Sequence, residues 1–81
     1  MKKVRFTIHA ERKISERNIR KDLVTRTIEN PDATVGGREN TKIAQKEISK
    51  KMLRVVFREN EYDYIVITAY FTEKERYGVK E

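Results

Sequence analysis

Leu53-Arg54-Val55-Val56-Phe57-Arg58, followed after a polar loop by Tyr64-Ile65-Val66-Ile67-Thr68-Ala69-Tyr70-Phe71-Thr72, is the stretch on which the fold turns. In the first run Leu53, Val55 and Phe57 alternate with Arg54, Val56 and Arg58. In the second, Ile65, Ile67, Ala69 and Phe71 alternate with Tyr64, Val66, Thr68 and Tyr70. A period of two is the signature of a strand with one face buried. The loop Glu59 to Asp63 joins the runs into an antiparallel hairpin. One apolar row then faces a covering layer, and the other row carries Arg54, Arg58, Tyr64, Thr68 and Tyr70.

Upstream, Lys42 to Lys50 has no strong period. It reads as an edge strand, because lysines guard exposed sheet edges; a helix is the competing reading. Pro31-Asp32 and Gly36-Gly37 are turn signals around a weak strand, Ala33 to Val35. Before them, Ile19, Leu23, Val24, Thr27 and Ile28 form a stripe of helical spacing. Asn18 would cap its start, and Asn30-Pro31 stops it. A first helix, His9 to Arg17, has Thr7 as its N-cap and buries Ala10 and Ile14. Val4, Phe6 and Ile8 give a short opening strand. The expected fold is α+β, with two N-terminal helices packed on one face of a three- to four-stranded antiparallel sheet. Residues 1–72 would form the domain and residues 73–81 a polar tail.

Composition narrows the class. Nineteen basic and thirteen acidic residues in 81 give a net charge of +6. Residues 1–58 hold sixteen basic and seven acidic residues, a balance of +9; residues 59–81 hold three and six, a balance of −3. A basic body with an acidic end suits a polyanionic ligand, most simply nucleic acid. No apolar run approaches the roughly 18 residues of a membrane span. The Met1-Lys2-Lys3 start has no long apolar region behind it, so no signal peptide is expected. Cysteine is absent and His9 is the only histidine. These counts argue against a disulfide scaffold and most zinc sites, and for a cytoplasmic protein without a metal or other cofactor. The excess of Glu, Lys and Arg over Asp suits the ion-pair networks of a heat-adapted protein.

Thr7-Ile8-His9-Ala10-Glu11-Arg12, then Arg17-Asn18-Ile19, Glu29-Asn30-Pro31 and Thr68-Ala69-Tyr70 carry a resemblance over nearly the whole chain. They resemble a family of small uncharacterised prokaryotic domains that opens Thr-x-His-Ala-x-x-Arg, grouped with the RelE, ParE and barnase-like toxins. Where that family commonly has Gly before Ile, this chain has Asn18, and both residues tolerate a left-handed backbone. The resemblance implies a RelE/barnase-like fold and a metal-independent ribonuclease of a toxin–antitoxin pair. RNA would be cut through a 2′,3′-cyclic phosphate. The implied partners are RNA and a small acidic antitoxin covering the basic face; a homodimer stays open. The alternative is a non-catalytic nucleic-acid- or protein-binding module on the same fold.

Such cleavage needs a base for the 2′-hydroxyl, an acid for the leaving oxygen and cations for the phosphate charge. His9 suits the base, and its competing role is to cap the strand-to-helix junction. Arg12, three residues on, would clamp a phosphate or pair with Glu16. Arg54 and Tyr70 complete the expected catalytic set with His9 and Arg12. Tyr70 would give a proton or stack on a base. Arg17, Arg58, Thr68 and Lys46 form the expected substrate-binding set. Arg17 would alternatively tie the helices to the sheet, and Lys46 would alternatively be a solubility charge.

Overall fold

The computed structural model describes residues 2–73. The elements are β1 (Lys3–Phe6), α1 (Ile8–Glu16), α2 (Lys21–Glu29), β2 (Ala33–Gly36), β3 (Lys42–Ile48), β4 (Lys51–Glu59) and β5 (Asp63–Glu73). They build one five-stranded sheet in the order β1-β5-β4-β3-β2. The expected three- to four-stranded antiparallel sheet is thereby corrected: the sheet is mixed, with β1 parallel to β5. The cause lies in the connection. The chain crosses one face of the sheet as two helices and returns through a meander. The first strand and the last thus meet side by side, running the same way. Four apolar-polar residues can announce a strand but not its partner.

The β4–β5 hairpin forms as its alternation predicts, closed by Asn60, whose side-chain oxygen accepts from Tyr62 N at 2.8 Å and Asp63 N at 2.7 Å. Its face assignment does not survive intact. Val56 pairs with Thr68 but Phe57 pairs with Val66, so Ile67 is an extra residue in a β-bulge. An extra residue reverses which side chains face the core. Tyr64 and Val66 therefore join Ala69 and Phe71 on the helix side, against the core cluster.

β3 is a strand, yet it is not an edge: β2 pairs along its outer side. Ala44 and Gln45 are accordingly buried. The edges are β1 and β2. Glu73, expected to open the tail, closes β5, and residues 74–81 lie outside the described residues.

Both helices lie on one face, as expected. α1 packs over β5 and β1, and α2 over β3 and β4. Thr7 caps α1 by accepting from Ala10 N at 2.9 Å. Asn18 is not the cap of α2; it sits just past the end of α1 with φ 56°. Asn18 N donates to Ser15 O and Ile19 N to Ile14 O at 2.8 Å, which is the Schellman pattern of a helix stop. Ile19 is buried in the turn, and Arg20 occupies the α2 N-cap position. The core joins Ala10, Ile14, Ile19, Val24 and Ile28 to Ala44, Leu53, Val55, Phe57, Val66 and Ala69. No helix among the described residues is long and apolar enough to cross a membrane.

Candidate nucleic-acid interface

With the helices on one face, the side chains of the other are ordered by register, since directly paired residues project to the same side. One cross-strand row is Ala33, Gln45, Arg54 and Tyr70. The next is Val35, Ile43, Val56 and Thr68. A third holds Arg58, Ile65 and Arg5. A row of β-branched residues thus separates two rows that carry arginine.

Arg54 and Tyr70 lie on one face, as the alternation predicts, and the register of β4 on β5 makes them direct partners in the first row. Arg54 Nη1 donates to Tyr70 Oη at 3.1 Å, and the guanidinium carbon lies 5.8 Å from the ring centroid. Arg54 is only 7% exposed, whereas Tyr70 is half-buried. The hydroxyl oxygen accepts this bond and keeps its own proton as a donor. Burying a guanidinium requires hydrogen-bonding partners, and the neighbouring Gln45 is buried with it at 5% exposure. Arg58 is exposed and donates to Glu39 O at 3.3 Å. Arg5 lies 3.5 Å from the Asp63 carboxylate.

The other expected residues fall elsewhere. His9 and Arg12 are exposed on α1, in the helical layer, with the sheet between them and the Arg54–Tyr70 pair. The expected catalytic set is therefore split between two layers. Arg17 ends α1 and crosses to β5, where its Nη1 donates to Ala69 O at 2.8 Å and to Thr68 Oγ1 at 3.3 Å. Arg17 and Thr68 come together, in a contact that fastens helix to sheet. Lys46 lies on the helix-covered side, paired in register with Leu53, and its Nζ donates to Asn30 O at 3.0 Å. It closes the end of α2 and is not on the face of Arg54. Tyr64 likewise leaves that face: it meets Phe57 edge-on at 5.6 Å, with Lys2 5.2 Å above its ring.

Part of the charge separation along the chain is folded away among the described residues. Glu59, at the head of the acidic segment, accepts from Lys2 and from Lys42, the latter at 3.0 Å. These two hydrogen bonds hold its carboxyl below the usual carboxylate range, against a smaller opposing effect of burial. Two residues of the helix-free face escaped the sequence reading. Gln45 was masked by the expectation of an edge strand, and Arg5 by the missing partner of β1.

One family matches this chain, over residues 6–71: Domain of unknown function (DUF4258). No curated protein and no solved structure matches it.

Proposed function

We propose that this chain, which belongs to the DUF4258 family of domains of unknown function, acts on RNA as a small toxin-like endoribonuclease that works without a metal. Its centre is the helix-free face. The observation that carries the reading is the Arg54–Tyr70 pair: a phenolic proton donor held in one orientation by a buried guanidinium. In cleavage to a 2′,3′-cyclic phosphate, the 2′-hydroxyl gives up its proton to solvent water, its oxygen attacks phosphorus and the 5′-oxygen leaves. Tyr70 gives that oxygen its proton in this reading. Arg54 is a positioning residue, because it is too deeply covered to clamp a phosphate itself. Arg58 and Arg5 are exposed on the same face, two rows from Tyr70, and supply charge for the neighbouring phosphates. A small acidic antitoxin that covers these arginines would shut the site.

A second reading is favoured by one observation. His9 and Arg12 stand in the other layer, so no imidazole base accompanies Tyr70. That separation suits a non-catalytic RNA-binding module. Incubating the purified protein with RNA in EDTA decides between the two. Cleavage leaving 2′,3′-cyclic phosphate ends, lost in Tyr70→Phe and retained in His9→Ala, supports the ribonuclease centred on the sheet. Salt-sensitive binding without cleavage supports the module. Neither cleavage nor binding removes both.

A further inference from the structure

The helix-covered side of the sheet is not covered to its end. The ladder pairs Lys46 with Leu53 and Leu53 with Phe71; one row further out it pairs Ile48 with Lys51 and Lys51 with Glu73. The helices are fastened short of this end, α1 by Arg17 to Ala69 O and α2 through Asn30 O to Lys46. Beyond them lies an open cavity of about 440 Å³, lined by Ile48, Ser49, Lys50, Lys51 and Phe71. No residue of either helix lines it. Its walls are almost entirely carbon, as expected when lysine stems lie along apolar surface and lift their ammonium groups to the rim.

The two cations at this rim stand outside the ion pairs made among the described residues. Lys2, Arg5, Lys13, Arg20, Lys21, Lys42 and Arg58 all have carboxylate partners. Lys50 and Lys51 are exposed and have none among the described residues. Glu73, opposite Lys51 in register, makes no ion pair with it. The site therefore combines an aromatic side chain, an apolar lining and two lysines that have no carboxylate partner among the described residues. Its volume is at the small end of ligand pockets, whose range is about 300–1,000 Å³.

We propose that this cavity is a nucleotide subsite. It takes one base of a single-stranded nucleic acid against Phe71 and Ile48, and Lys50 and Lys51 hold the flanking phosphates. A base presents a flat apolar face and carries its anionic charge a fixed short distance away, which matches an apolar floor beneath a cationic rim. The inference rests on the RNA reading only for the polymer; a nucleotide needs only the cavity. It is distinct from the Arg54–Tyr70 face, since Phe71 and Tyr70 project to opposite sides of β5.

The test combines two titrations. In the first, 15N-labelled protein is titrated with adenosine 5′-monophosphate and, separately, with ribose 5-phosphate. The expected result is that the nucleotide shifts the amides of residues 48–51 and 71, and the sugar phosphate shifts them far less. In the second, fluorescence anisotropy follows labelled octa-adenylate. The Lys50→Ala, Lys51→Ala double variant is expected to bind about tenfold more weakly, with a salt slope reduced by about 1.4, at about 0.7 per phosphate contact on a single strand. Phe71→Leu, which keeps apolar volume and removes the ring, is expected to lose about threefold to tenfold with the salt slope unchanged. Wild-type affinity in the double variant overturns the subsite. So does an acidic peptide that shifts these amides when the nucleotide does not. If the nucleotide shifts them and no oligonucleotide binds, the RNA reading falls and the subsite stands. If oligonucleotide binding is lost only in Arg5→Glu, Arg58→Glu, the subsite falls and the RNA reading stands.

Discussion

At the scale of single residues, Tyr70 and Glu59 show how one hydrogen bond decides a role. Tyr70 accepts from Arg54 and keeps its proton for another acceptor. Tyr70→Phe removes that proton and little of the packing. Any cleavage activity is expected to fall 10²-fold or more, in the usual range for a general acid, with RNA affinity within about twofold; cleavage and anisotropy assays read the two separately. Glu59 joins β4 to Lys2 and Lys42, and its folded-state pKa lies below the ordinary 4.5. A depressed carboxylate contributes stability that is fully present above its unfolded pKa and is lost as pH falls through the folded value. Glu59→Gln should therefore cost up to about 1 kcal/mol at pH 7, as partly exposed ion pairs do. The cost should shrink as the pH drops below 4.5. Urea melts at pH 7 and pH 3 check this, and an equal cost at both would show that the charge is not what matters. His9 was legible as the only histidine of the chain, but the layer it would occupy was not.

At the scale of elements, helix ends and the bulge carry the lesson. The Thr7 cap was readable because a hydroxyl before an apolar-periodic run has few other uses. Thr7→Ala is expected to cost about 1 kcal/mol, a fall in Tm of roughly 4–8 °C for a domain of this size. Asn18 was readable as a break, and its left-handed φ is one that Asn, like Gly, tolerates. Whether it began one helix or ended another was not readable, because Asn serves both positions. Asn18→Gly should leave Tm unchanged or raise it by a few degrees, whereas a β-branched Asn18→Val should lower it; thermal melts of the pair would show which end Asn18 belongs to. The bulge at Ile67 left no mark in the sequence. Its neighbours alternate without interruption, and only pairing with β4 reveals one residue too many. That single residue moved Tyr64 from the expected RNA face to the core side.

At the scale of the whole molecule, the sheet separates what the chain order seemed to gather. The +9 and −3 segments interlock through Glu59 with Lys2 and Lys42, and through Asp63 with Arg5. Any RNA binding should still depend steeply on salt, because the net charge stays +6. Reversing Arg5 and Arg58 together should reduce the salt slope by about 1.4. An unchanged slope would move the RNA off the helix-free face. By itself the sequence determined the local units: the hairpin, the apolar stripes of both helices, the Thr7 cap and the shared face of Arg54 and Tyr70. These follow from periods of two and 3.6 and from short-range hydrogen bonds, all written in neighbouring residues. Only the tertiary structure decided the parallel β1–β5 pairing, the burial of β3, the bulge parity and the separation of His9 from Tyr70. Those depend on which distant strands meet, and the period of a segment carries no information about its partner.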